Sequence, residues 1–181
     1  MIEGVVVRRL DTHADARGSF GEIYSDGWEL PIRPRQWSIV RSVAGVLRGM
    51  HLHLRHHEYV CVIAGRAYVG LYDLRPMSPS NGYPQLIELD AAEPAALAFP
   101  SGILHGWYFP EGGTHVQAVS ETYADYGGDD NLGCRYDDPE LGLHWPGVIS
   151  RVSPRAAAFP SLRDLRERVA EHWPSWHAQS A

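Results

Sequence analysis

His51 and His53 are one residue apart, so on a β-strand both imidazoles leave the same face. Glu58 follows a turn and can return to that face from the next strand. His105 comes three residues after Gly102 in Pro100-Ser101-Gly102, a turn signal between two strand-like segments that can aim it inward. Imidazoles and a carboxylate on one face form a mixed N/O donor set suited to one divalent iron, zinc, manganese or nickel ion. His56 and His57 fall in the turn between these donors and are expected to face solvent.

These side chains need a rigid scaffold, and the pattern up to about residue 120 is that of many short strands. Val60–Ile63 and Ala67–Leu74 read as two strands joined by a turn at Ala64-Gly65. Gln85–Leu89, Ala95–Phe99 and His115–Ser120 read the same way, and such spacing suggests a sandwich or barrel. Helical periodicity is clear only near the end. Ser161 and Asp164 have capping-box spacing, and Leu162, Leu165, Val169 and Trp173 recur on one helical face. This predicts a helix within 160–173, followed by a frayed tail over Pro174–Ala181. With 181 residues and no linker-like tract, the expectation is a single domain, 1–181, with that helix inside it.

Composition removes several function classes. All 16 basic residues are arginine, so there is no lysine for a Schiff base or a P-loop. The net charge of −6 argues against a nucleic-acid partner. No apolar run is long enough for a membrane span, and the N-terminus lacks a signal-peptide pattern, so a cytoplasmic location is expected. Two isolated cysteines, Cys61 and Cys134, make neither a disulfide framework nor a thiolate zinc cluster.

Gly45, His51, His53, Glu58 and Gly65 match the first motif of the cupin superfamily at every spacing, and Pro100, Gly102 and His105 match the second, with Phe109 where asparagine is usual. The resemblance implies an all-β double-stranded β-helix (jelly roll) with His51, His53, Glu58 and His105 as metal ligands. A second resemblance covers about residues 10–150. Asp15-x-Arg17-Gly18-x-Phe20-x-Glu22, Gly45-Val46-Leu47-Arg48-Gly49-Met50-His51, Tyr72-Asp73-Leu74-Arg75 with Ser78-Pro79, Pro100-x-Gly102-x-x-His105-Gly106, and Asp138-Pro139-x-Leu141-Gly142-Leu143-x-Trp145-Pro146 resemble, in order, motifs of dTDP-4-dehydrorhamnose 3,5-epimerases. That family is of cupin type, usually homodimeric and metal-free. The resemblance implies epimerisation of a nucleotide-linked 4-keto-6-deoxy sugar by proton abstraction beside the ketone. His51 would be the base. Arg17, Phe20 and Glu22 would hold the nucleotide, often across a homodimer interface. Arg48 would hold the diphosphate, and His105 would line the substrate pocket.

The chain departs from that family at the catalytic positions. The family's lysine aligns with Glu58, and the tyrosine that returns a proton aligns with Gln117, while a nearby second tyrosine is kept as Tyr123. The aspartate that orients the histidine aligns near Ser153. Epimerisation is therefore expected to stop at one carbon, with the returning proton coming from water or Tyr123. Two further readings stay open: a metal-dependent cupin oxygenase or isomerase using the His/His/Glu/His set, and a non-catalytic sugar-binding jelly roll. A metal-bound His51 would not be free as a base, so the metal and base mechanisms compete for that residue.

Overall fold

The computed structural model describes residues 1–126 and 130–170. Eleven strands precede the C-terminal helices: β1 (Val6–Arg9), β2 (Thr12–Asp15), β3 (Gly18–Gly21), β4 (Gln36–Ser42), β5 (Val46–Leu52), β6 (Glu58–Asp73), β7 (Pro84–Asp90), β8 (Ala95–Phe99), β9 (Ile103–Phe109), β10 (Gly113–Val119) and β11 (Leu132–Gly133). The expected strands over Gln85–Leu89, Ala95–Phe99 and His115–Ser120 correspond to β7, β8 and β10. One layer runs β1, β8, β6, β10, β4, and the other runs β7, β6, β9, β5, β11, with every pairing antiparallel. This is the expected all-β jelly roll.

The layers are joined by β6 itself, and here the expectation of two strands and a turn is corrected. Residues 58–65 of β6 pair in the first layer, and residues 66–73 pair in the second. The chain bends without breaking at Gly65, whose φ is +75°, a conformation that glycine adopts without steric cost. The turn signal at Ala64-Gly65 therefore marks a corner at which a 16-residue strand changes sheets.

The inner faces of both layers meet in a core of Val60, Val62, Val69, Leu71, Leu97, Phe99, Trp107 and Phe109. The outer face of the second layer packs under the C-terminal segment. Trp145, from the Asp138–Pro146 motif, lies against Gly70, where a Cβ would meet its ring at 2.6 Å. Leu162, Leu165 and Val169 bury one face of the closing helix, which spans Leu162–Ala170. Ser161 Oγ accepts from Asp164 N at 3.1 Å; the short Asp164 carboxylate takes the Ser161 hydroxyl, at 2.7 Å. Residues 171–173 of the predicted helix and the predicted tail lie outside the described residues.

The Tyr72–Pro79 motif also proves to be structural. The buried Asp73 carboxylate accepts from Arg75 Nε and Nη2 at 2.8 and 2.7 Å and from the Ser78 and Ser80 hydroxyls, both at 2.6 Å. Burial alone would raise its pKa, but these donors hold it below the usual carboxylate value.

The Gly65 corner gives a stability prediction. A Cβ there would lie 2.5 Å from the Gly112 carbonyl oxygen, on backbone that cannot swing away. Gly65→Val should lower unfolding free energy in urea by about 3 kcal/mol. Gly27→Ala, where the nearest atom is the Ser25 hydroxyl at 3.8 Å, should stay within about 0.5 kcal/mol. Equal effects at both sites would contradict the corner's role.

Candidate active site

A cleft of about 220 Å³ opens at one end of the sandwich, and its lining includes Arg48, His51, His53, Glu58, His105 and Gln117. Strand β5 reaches it through an irregularity. Arg48 pairs with Trp107 and His51 with His105, so three steps along β5 match two along β9. The extra residue is a bulge, and it puts Arg48 and His51 on the same face. Simple alternation would place them on opposite faces. Met50 and Leu52 turn to the outer cluster, while His51 joins the cleft. Arg48 is anchored by its Nε donating to Ser42 Oγ and its Nη2 to the Arg41 carbonyl, both at 3.0 Å.

His53 lies just past the end of β5 rather than within it. Its Nδ1 is 2.5 Å from the Asp130 carbonyl oxygen, and its Nε2 faces Glu58 Oε1 at 3.5 Å. Glu58 opens β6 and is fully buried, with Oε2 accepting from Gln117 Nε2 at 2.9 Å. His105, on β9, is equally buried. Its Nδ1 donates to the Ile103 carbonyl at 2.9 Å, and its ring stacks on Trp107.

The expectation that His56 faces solvent is overturned: it is 1% exposed. Its Nδ1 is 3.0 Å from Asp130 Oδ2, and its Nε2 is 3.3 Å from Glu58 Oε1. The ring is thus held between two carboxylates. Burial alone would lower the His56 pKa, but the two carboxylates outweigh it and raise it to about 9. His57 is half-buried, with Nδ1 accepting from Ser101 N at 2.9 Å. Asp130 closes the turn by accepting from Leu54 N at 2.6 Å and Arg55 N at 3.0 Å.

His51 stands at the more open side of the cleft. Burial first, then the neighbouring His53, Arg155 and Arg48, lower its pKa to about 3, so its ring is neutral at pH 7. Burial likewise lowers His53, and His105 lies well below the ordinary histidine value. Among the described residues no ion pair reaches the His51 ring. Ser153, near where the orienting aspartate would align, instead starts a short helix, its Oγ accepting from Ala156 N at 3.1 Å.

The remaining expected site residues are dispersed. Tyr123 is 59% exposed and does not line the cleft, whereas Tyr126 does and stacks on His56 at 4.3 Å. Arg17, Phe20 and Glu22 lie on the exposed β2–β3 hairpin and line separate surface depressions with Arg8, Asp11 and Trp28. Within one chain they do not meet His51. Sequence reasoning missed Asp130, Arg155 and Tyr126. Each comes from a distant segment with no motif of its own.

A profile of the dTDP-4-dehydrorhamnose 3,5-epimerase family matches residues 1–164. The chain is 33% identical over 147 residues to the spore coat polysaccharide biosynthesis protein SpsL of Bacillus subtilis, covering 80% of this chain and 97% of the relative. It is 31% identical over 175 residues to the dTDP-4-dehydrorhamnose 3-epimerase of Streptomyces niveus, covering 92% and 83%. The solved structure of NovW, a 4-keto-6-deoxy sugar epimerase from the novobiocin gene cluster of Streptomyces spheroides, superposes with a TM-score of 0.84 at 29% identity, over 93% of this chain and 87% of that one.

The histidine shifts give opposite pH limbs. Folded His51 refuses a proton that the unfolded chain takes up below about pH 6.5, so stability falls on acidification from pH 6.5 towards 3. From pH 6.5 to 4.5 its share is about 2 kcal/mol, and His51→Gln should remove that part of the loss in urea unfolding. His56 binds its proton more tightly when folded, so its contribution is present below pH 6.5 and lost as pH rises through about 9. His56→Gln should flatten the alkaline limb. A wild-type curve unchanged by either substitution would refute these assignments.

Proposed function

The chain belongs to the dTDP-4-dehydrorhamnose 3,5-epimerase family, and from this premise we propose how its cleft epimerises a nucleotide-linked 4-keto-6-deoxy sugar. The sharing of one face by His51 and Arg48 carries the proposal. A neutral His51 takes the proton from the carbon beside the C4 ketone. The C–H electron pair moves into the new C=C bond as the carbonyl electrons move to oxygen, giving an enolate. Arg48 meets the substrate diphosphate with its planar donors. Return of a proton to the opposite face of that carbon inverts it.

The identity of residue 117 supports inversion at a single carbon. An amide is not an acid, and Gln117 is already committed to Glu58. Tyr126 is the phenol at the cleft. Burial, with Glu58 and other groups adding to it, raises its pKa and keeps its proton in place for transfer. Water or Tyr126 is therefore the donor, in place of the expected Tyr123.

The nucleotide is a thymidine diphosphate, as the names of the relatives suggest. The working unit is a homodimer in which Arg17, Phe20 and Glu22 approach the partner's cleft. Phe20, Trp37, Ile39 and Ile63 support this, being exposed along the hairpin and the outer face of the first layer. A cytoplasmic setting is in keeping with two free, buried cysteines, and among the described residues no helix is long and apolar enough to cross a membrane.

Proton NMR in D₂O with a dTDP-4-keto-6-deoxy sugar tests the chemistry. Wild type should exchange and invert one carbon. His51→Asn should slow exchange about 10²–10⁴-fold while dTDP binding is kept. Efficient inversion at both C3 and C5 would overturn the single-carbon reading. Sedimentation at micromolar concentration should give a dimer; a monomer would remove the shared-cleft arrangement.

A further inference from the structure

Taking a proton from the carbon beside a ketone drives negative charge onto the ketone oxygen, and that charge needs a positioned donor or cation. The chain contains no lysine, and Glu58, an acid, stands where the resemblance aligns the family's lysine. A cation at the reacting carbonyl must therefore come from elsewhere. Among the described residues, the arginines that line the cleft are Arg48 and Arg155. Arg48 is tied through Nε and Nη2 to Ser42 and Arg41 at the end of β4, and it is the group assigned to the diphosphate. Arg155 has no part in that scheme. It belongs to the short helix Pro154–Ala157, and its Nη2 donates to the Asn131 carbonyl at 2.7 Å. A guanidinium has five N–H donors, so this bond fixes the group and leaves others for a ligand.

The base and this cation share one support. The Phe159 ring stands perpendicular to His51, with centroids 5.8 Å apart and planes at 89°, and Arg155 Cζ lies 5.6 Å from the same ring's centroid. Phe159 is itself seated on Gly133, where a Cβ would meet the ring at 2.5 Å, and Gly133 pairs with His51 between β11 and β5. The arginine's charge is felt at the base, being among the influences that hold His51 neutral. We propose that Arg155 is a catalytic residue of this cleft, holding the oxygen that becomes negative when His51 takes the proton. The inference rests on the epimerase reading and adds the group that carries its charge. His51 gains the proton, the C–H electron pair becomes the C=C bond, and the carbonyl pair moves to oxygen, which accepts an N–H of Arg155. Arg155 gives up no proton. When the carbon is protonated again, the pair returns and the carbonyl re-forms.

The test follows solvent-deuterium exchange of a dTDP-4-keto-6-deoxy sugar at saturating substrate, with dTDP affinity and thermal melting measured on each variant. Arg155→Met should slow exchange about 10²-fold while dTDP affinity and melting temperature are kept. Arg155→Lys should return the rate to within about tenfold of wild type, since it restores the charge without the planar fork. Arg163→Met removes an exposed arginine of the closing helix, outside the cleft lining, and should exchange like wild type. Exchange at the wild-type rate in Arg155→Met would overturn the proposal and leave the epimerase reading standing. Weakened dTDP binding with an unchanged saturated rate would also overturn it, making Arg155 a phosphate contact. So would equal slowing in Arg155→Met and Arg155→Lys, or in Arg163→Met. If Arg155→Met melts early, Arg155→Lys and Arg155→Gln decide, because a role in charge requires the lysine variant to be the faster. Wild type that binds dTDP but exchanges no sugar proton would overturn the epimerase reading, and this role with it, before any variant is made.

Discussion

At Gly49 and Gly106 two backbones come closer than side chains would allow: a Cβ on Gly49 would sit 2.5 Å from Gly106 Cα. This contact lets β5 carry an extra residue against β9, and the φ of +132° at Gly49 is open to glycine. The extra residue reverses the alternation between Arg48 and His51. Arg48 and His51 thereby share one cleft, and Met50 is sent outward to the cluster under the C-terminal helix. The chemistry and the packing of the second layer both depend on this irregularity.

Behind the cleft, the structure must tolerate two buried carboxylates. Glu58 and Asp130 have almost no exposure, and isolated charges there would be costly. His56 lies between them and balances part of their charge. Backbone N–H groups of Leu54 and Arg55 satisfy Asp130, and Gln117 satisfies one oxygen of Glu58. Gln117 and Glu58, where the resemblance aligns the family's tyrosine and lysine, are therefore bonded to each other. The two form one polar arrangement.

The exposed hairpin adds a different constraint. Phe20 is 68% exposed on a two-stranded arm that pairs only with itself, since β2 and β3 form their own small sheet. Such a ribbon has little intrinsic stability in water, and the exposed Phe20 on it gains by being covered.

Local pattern determined much of this protein. The spacing of His51, His53, Glu58 and His105 marked the cleft, because β-strand periodicity and tight turns act over a few residues. Strand β8 and the amphipathic face of the last helix were legible for the same reason. Tertiary structure decided whatever depends on partners far along the chain. His56 and His57 look alike in the sequence, yet Asp130, more than 70 positions away, draws His56 inside. Ala64-Gly65 looks like any hairpin turn, but pairing with β10 on one side and β7 on the other makes it a corner. Tyr126 reaches the cleft and Tyr123 does not, through the way one short helix seats on His56. Periodicity states which residues share a face of one element; only packing decides which faces meet.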